Sequence, residues 1–166
     1  MKEYIIYTDG ACSGNPGIGG WAYIITEAAE VGDVEKNIIH FEKSGFDLDT
    51  ANQRMELTAV IESLNKIKEI DNFANKYIVY SDSAYLINCA NDKWYEKWLL
   101  NNWKNSKGAP VANRDLWERL IPFFLNKNIR FIKTKGHADD ELNNYVDKKA
   151  VEARKIGGVE SENSNT

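Results

Sequence analysis

Ile5-Ile6-Tyr7-Thr8-Asp9-Gly10-Ala11 and Ile78-Val79-Tyr80-Ser81-Asp82-Ser83-Ala84 nearly repeat one another. Each is an apolar run rich in β-branched residues that ends at a hydroxyl residue, an Asp and a small residue. Such runs read as buried strands of a sheet covered on both faces. Laid side by side and parallel, they would bring Asp9 and Asp82 out together at the carboxyl edge, where open α/β sheets place their active sites. Two carboxylates held close repel, and a hard divalent cation between them relieves the repulsion. The plainer alternative is two strands that end in Asp because Asp suits turns.

Working outward, residues 3–8 are expected as the first strand, followed by a glycine-rich loop over 10–17 and a second strand over 20–25. Residues 27–36 are polar and read as an exposed turn, and 37–45 as a third strand, so the chain opens as an antiparallel meander. The period then changes. Leu57, Val60, Ile61, Leu64 and Ile67 recur at helical spacing, which predicts a helix over 52–69, with Thr50 and Gln53 as its capping box. A fourth strand is expected over 76–81, a broken helical region over 84–102, a helix over 115–125, a fifth strand over 129–133 and a last helix over 143–156. This order predicts a single α/β domain over 1–156. Its five-stranded mixed sheet has three antiparallel strands first, then parallel ones, with helices on both faces. Residues 157–166, beginning Gly157-Gly158, are expected as a disordered tail.

At 166 residues, 43% hydrophobic and 28% charged, the composition is that of a globular domain. No apolar run approaches the ~20 residues of a membrane span. No secretory signal is evident, and two cysteines, Cys12 and Cys89, argue against a disulfide scaffold, which together suit a cytoplasmic protein. The net charge of −4 speaks against a general nucleic-acid binder. Between Lys93 and Arg114, however, five cations face one acid, Glu96, and a local patch is enough for a nucleic-acid footprint.

Two further acids join the strand-end pair. Glu56 falls in the opening turns of the first long helix, where the helix dipole favours negative charge, and at the edge of its apolar stripe. Taken alone it reads as a surface residue. Asp147 projects near the centre of the buried face marked by Leu142, Val146, Ala150 and Ala153. An inward carboxylate is costly unless paired or ligating a metal; the alternative is an ion pair with a cation such as Arg54. Four acids on one face would suit two hard metals spaced ~3.5–4 Å, the arrangement used for in-line attack at phosphorus. No cysteine–histidine zinc cluster and no phosphate loop with a Lys-Ser/Thr ending competes with that reading. His137, in the loop Lys135-Gly136-His137-Ala138-Asp139-Asp140, could move protons beside such a site, or be an ordinary exposed loop histidine. His40 reads as structural.

Together these residues closely resemble the type 1 ribonuclease H family. The carriers are Tyr7-Thr8-Asp9-Gly10-Ala11-Cys12-Ser13-Gly14-Asn15-Pro16-Gly17, Asn52-Gln53-Arg54-Met55-Glu56-Leu57, Ser81-Asp82-Ser83, Trp94, Trp98, Trp103, Asn113-Arg114-Asp115-Leu116-Trp117, Lys135-Gly136-His137-Ala138 and Asp147. They occur in the family's order, from about Lys2 to Arg154. The resemblance implies the ribonuclease H fold and endonucleolytic, two-metal hydrolysis of the RNA strand of an RNA–DNA hybrid, leaving 3′-hydroxyl and 5′-phosphate ends. By position, Asp9, Glu56, Asp82 and Asp147 would ligate Mg²⁺, with Mn²⁺ as the alternative ion, and His137 would assist proton transfer or product release. Cys12, Asn15, Asn52 and Gln53 would read the RNA strand, whose 2′-hydroxyl both donates and accepts, a match for amides. Asn15 has an alternative role as a turn residue and Gln53 as a helix cap. Tyr85, Trp94, Trp98 and Trp103, among Lys93, Lys97, Lys104 and Lys107, would line the groove for the DNA strand; Trp94 and Trp98, four apart, read equally as a core stripe. Asn113 matches a phosphate-contacting position. The resemblance implies a monomer with no obligate protein partner. The chain is expected to lack room for a separate hybrid-binding domain before Lys2, and low processivity is expected with it.

Departures from the pattern are few. Ala51 stands where relatives often carry a Thr that holds a DNA phosphate, and Thr50 is one residue early. Glu96 and Leu99-Leu100-Asn101-Asn102 make the basic segment less basic. The acids Asp139, Asp140 and Glu141 beside His137 are expected to disfavour the hybrid or to attract further metal. Two other functions use the same fold: a catalytically silent hybrid-binding module, against which an inward Asp147 speaks, and a transposase or exonuclease, against which the set Cys12, Asn15, Asn52 and Gln53 speaks.

Overall fold

The computed structural model describes residues 2–28, 38–134 and 141–164. Strands β1 (Glu3–Gly14), β2 (Gly17–Glu27), β3 (Ile39–Thr50), β4 (Lys76–Ser81) and β5 (Ile129–Lys133) form one sheet in the order β3-β2-β1-β4-β5. The first three strands pair antiparallel, and β4 pairs parallel with both β1 and β5. Helices α1 (Asn52–Ile70), α2 (Ala84–Asp92), α3 (Trp94–Leu100), α4 (Arg114–Phe124) and α5 (Glu141–Ser164) complete the described fold. None of these helices is long and apolar enough to cross a membrane.

The two repeated stretches lie side by side. Ile5 pairs with Ile78, Ile6 with Val79 and Tyr7 with Tyr80, the same alignment that superposes them in sequence. Tyr4 stacks on Tyr77 and Tyr7 on Tyr80, each with ring centroids 5.4 Å apart, so cross-strand aromatic contacts reinforce that register. Thr8 Oγ1 donates to the Tyr80 carbonyl at 3.0 Å, tying the strands together just before their aspartates.

Side-chain alternation along β1 sends Ile6 into the main core with Leu57, Val60, Ile61 and Leu64 of α1. Tyr7 and Ala11 go to the opposite face, where they pack with Val146 and Ala150 of α5. Asp9 shares the parity of Tyr7 and Ala11. Two glycines let the helices approach. A Cβ on Gly10 would lie 2.5 Å from the Glu56 backbone nitrogen, so a bare backbone here is what lets the start of α1 rest on β1. On the other face, a Cβ on Gly20 would lie 2.2 Å from the Ala150 carbonyl oxygen of α5.

Several sequence expectations change. The glycine-rich segment is not a loop: β1 continues to Gly14 and pairs through Gly14–Gly17, leaving a two-residue turn at Asn15-Pro16. Pairing with β2 satisfies the backbone that small side chains leave bare. β3 likewise runs on to Thr50, which pairs with Gly17. That pairing is why the expected capping box does not form. Thr50 is the last strand residue, Ala51 is the N-cap, no side chain caps α1, and the Thr50 hydroxyl is buried with no hydrogen-bond partner among the described residues. The expected tail is helical from Gly157 to Ser164. Gly157 is buried, and a Cβ there would lie 2.9 Å from the Phe46 ring. Tertiary contact thus overrides the low helix propensity of the glycine pair.

Candidate active site

Three acidic side chains from three elements meet where the parallel strands end. One carboxylate oxygen from each of Asp9, Glu56 and Asp82 lies within 4.8 Å of the others. Asp9 comes from within β1 and is only 7% exposed. Asp82 follows the last residue of β4 and is exposed, and Glu56 is half-buried in the second turn of α1. The hydroxyls flanking Asp82 shape the turn that presents it. Ser81 Oγ accepts from the Ser83 amide at 3.1 Å, and Ser83 Oγ caps α2 by accepting from the Leu86 amide at 3.2 Å.

Asp147 differs from expectation. The buried stripe of α5 is Val146, Ala150 and Ala153, and Asp147, one step round the helix from Val146, is exposed. It nonetheless lies beside the cluster, close enough that its carboxyl raises that of Asp9. The costly inward carboxylate is therefore Asp9. The ion pair weighed for Asp147 does not form either, since Arg54 pairs with Asp115, Nη2 to Oδ2 at 2.7 Å.

The electrostatics record this crowding. Burial, the neighbouring Asp147 carboxyl and the charge of Asp82 push the Asp9 carboxyl from its ordinary 3.8 to about 8. The Gly10 amide, donating to Asp9 Oδ1 at 2.8 Å, works in the opposite direction. Burial and the charge of Asp82 raise Glu56 to about 7, against hydrogen bonds from Ser83 and Asn52. Asp82 is raised by burial and by the Asp147 charge, and partly relieved by Lys133. A set of oxygen-only donors whose charges oppose one another fits a hard divalent cation and does not fit a soft one.

The remaining predicted residues sit as follows. His137 lies outside the described residues, as do Asp139 and Asp140. Asn52 is exposed at the start of α1, and its Nδ2 donates to Glu56 Oε1 at 3.2 Å. Gln53 beside it is exposed, and Asn15 is exposed in the β1–β2 turn. Cys12, half-buried, directs its Sγ at the Thr50 carbonyl, 3.5 Å away. Trp98 and Trp103 are core residues, 9% and 8% exposed, their rings 5.9 Å apart. The core-stripe alternative weighed for Trp94 and Trp98 thus describes Trp98, and Trp103 joins it in the core. Trp94 is half-buried and Tyr85 accepts a hydrogen bond from Trp117 Nε1 at 3.2 Å. Tyr85, Trp94 and one edge of Trp98, with Lys97 and Lys104, line a cavity of about 450 Å³. Asn113 is held by Arg54 Nη1 at 3.2 Å.

Sequence reasoning missed Ser83 and Lys133 as neighbours of the cluster. The signal was present for both. Ser83 occupies the repeat position of Gly10, and Lys133 ends the next parallel strand, opposite Ser81.

A sheet in the order β3-β2-β1-β4-β5 with acids gathered at the carboxyl edge defines a class: α/β proteins with an acidic centre that could bind metal. The chain belongs to the ribonuclease H family, whose RNase H model matches residues 1–155. Curated relatives agree. A ribonuclease H of Syntrophomonas wolfei subsp. wolfei is 49% identical over 158 residues, 95% of this chain and 100% of its own. One of Caldicellulosiruptor saccharolyticus is 48% identical over 89% of this chain and 92% of its own. Among solved structures, LC9-RNase H1, described as a type 1 RNase H with the type 2 active-site motif, superposes with TM-score 0.76 at 25% identity, covering 94% of this chain and 74% of that one. LC11-RNase H1, solved with an RNA/DNA hybrid, shares the fold with TM-score 0.64 at 20% identity over 92% of this chain and 97% of its own. The protein is an enzyme of this nuclease family, which normally uses divalent metal ions.

Proposed function

We propose that residues 1–156 form an endonuclease that hydrolyses the RNA strand of RNA–DNA hybrids with Mg²⁺, leaving 3′-hydroxyl and 5′-phosphate ends. The observation that carries this is the convergence of Asp9, Glu56 and Asp82 within 4.8 Å, with Asp147 close enough to raise the Asp9 carboxyl. These four carboxylates would hold the ions, which supply Lewis-acid activation of water and neutralise charge building at phosphorus. A module that only bound the hybrid would gain nothing from a buried acid crowded by two others. His137 stands in this reading as the group that takes or returns a proton near the cluster.

Strand discrimination follows from the amides. A carboxylate only accepts, so Glu56 Oε1 fixes the Asn52 Nδ2 as its donor and leaves Asn52 Oδ1 as an acceptor for a 2′-hydroxyl proton. Gln53, Asn15 and Cys12 complete the RNA-side reading, and Tyr85, Trp94 and the lysines of the nearby cavity the DNA side. For Asn52→Ala with Gln53→Ala, the preference for hybrid over DNA duplex should shrink by about 5- to 30-fold, taking about 1–2 kcal/mol for the lost pair of hydrogen bonds. Competitive binding of the two duplexes measures it, and an unaltered ratio would count against the 2′-hydroxyl role.

The direct test of the activity is to incubate labelled hybrid, duplex RNA and duplex DNA with and without Mg²⁺ and to analyse the product ends. Cleavage confined to the RNA of the hybrid, and only with metal, is the expected result. Equal cleavage of duplex DNA would instead favour a general nuclease of this fold.

A further inference from the structure

We infer that Arg54 is a positioning residue that turns the side-chain amide of Asn113 so that its NH₂ end is offered to a substrate phosphate. The inference rests on the hybrid-cleavage reading and on the phosphate contact that the family resemblance implies for Asn113.

The geometry starts with an anomaly at a helix end. Asn113 is the N-cap of α4, where an Asn normally turns its side-chain oxygen back onto the first free backbone amides. Here it makes no such bond. Its backbone carbonyl accepts from the Leu116 and Trp117 amides, both at 3.0 Å, while its Oδ1 accepts from Arg54 Nη1, on a different helix, at 3.2 Å. Its backbone is left-handed, with φ 62°, a conformation costly for side chains other than Asn, Asp and Gly. α4 thus forgoes a local cap for a contact that reaches across 59 residues.

Arg54 is itself held rigidly. Nη1 and Nη2 donate to the two oxygens of Asp115 at 3.0 and 2.7 Å, a bidentate fork that fixes the guanidinium plane. Asp115 is 64% exposed, and exposed ion pairs contribute little to stability. Orientation is a better account of the arrangement. A guanidinium only donates, so the end of the amide it meets must be oxygen and the other end must be nitrogen. A phosphate only accepts. Arg54 therefore selects, out of two nearly isosteric amide orientations, the one that can bind it. The device has extra weight in this chain because the neighbouring hydroxyl is missing. Ala51 has none to offer, and the Thr50 hydroxyl, at the end of β3, is buried.

The test compares Arg54→Met, Arg54→Lys, Asn113→Gly and the double variant Arg54→Met with Asn113→Gly; Gly keeps the left-handed backbone. With labelled hybrid at saturating Mg²⁺, Arg54→Met should raise KM about 3- to 10-fold at nearly unchanged kcat, the expected result of releasing one ordered side chain at an interface. Arg54→Lys should recover part of the loss. The double variant should be no worse than Asn113→Gly alone, because the arginine acts only through the amide. A purely structural arginine would give losses that add, and additivity would overturn the inference, as would wild-type KM in Arg54→Met or in Asn113→Gly. Thermal melting identifies any variant that fails to fold, in which case Arg54→Lys carries the comparison. If the wild-type protein does not cleave the hybrid, the functional reading falls and this inference with it. Hybrid cleavage with unchanged KM in Arg54→Met overturns the inference alone.

Discussion

Asp9→Asn is expected to reduce hydrolysis of an RNA–DNA hybrid by at least about 10³-fold while leaving hybrid affinity within a few-fold of wild type, since each lost 1.36 kcal/mol of transition-state stabilisation is a factor of ten. The asymmetry comes from where Asp9 sits. It is 7% exposed, bonded to the Gly10 amide, and crowded by Asp147 and Asp82. Its carboxylate therefore faces the other acids and not the groove in which Trp94, Lys97 and Lys104 lie. The amide has almost the same volume, so packing survives, while one anionic donor is removed from the centre. Single-turnover cleavage and a binding isotherm in Ca²⁺, measured side by side, check both halves. Normal turnover would defeat the assignment of Asp9. Loss of binding equal to the loss of turnover would mean that the acid serves substrate affinity and not chemistry.

The legible part of this chain was the part whose pattern repeats. The echo between residues 5–11 and 78–84 gave the central parallel pair, its register and the meeting of Asp9 with Asp82, because identical alternation on adjacent strands leaves one register with every apolar side chain buried. Glu56 was placed with them by the family resemblance, since helical spacing alone leaves it at the edge of the stripe, where it reads as a surface residue. What was not legible depended on distant contacts. Whether Gly10 to Gly14 is loop or strand is decided by β2 lying opposite, and propensity alone favours loop. Thr50 looked like a cap because its local spacing to Gln53 is right, yet strand pairing holds it one residue too early. Asp147 lies at the border of its helix stripe, where a rotation of a few tens of degrees, set by Gly20 and the packing of Ala150, separates inward from exposed. The Arg54–Asp115 pair left no local trace at all, because its partners lie 61 residues apart.

The same crowding that marks Asp9 for function should be measurable as instability of the metal-free protein. Its carboxyl is raised from 3.8 to about 8 by burial and neighbouring acids, so the folded state holds this proton more tightly than the unfolded chain does. Between those two values the folded chain carries one proton more, and stability must fall as pH rises, by about 1.4 kcal/mol per pH unit for a group that fully distinguishes the two states. The contribution of Asp9 is therefore complete below its ordinary value and lost as pH climbs to about 8. Glu56, raised to about 7, bends the curve in the same direction. Urea unfolding in chelator from pH 5 to pH 9 should show wild type losing stability relative to Asp9→Asn, several kcal/mol apart at the alkaline end; taking the difference cancels the titrations the two proteins share. Divalent cation added at pH 8 should close that gap, because positive charge does for the ionised cluster what the proton does at pH 5, and it should do little for the amide variant. Parallel pH curves for the two proteins would show that Asp9 ionises freely in the fold, and the crowded acidic centre would then lose its physical basis.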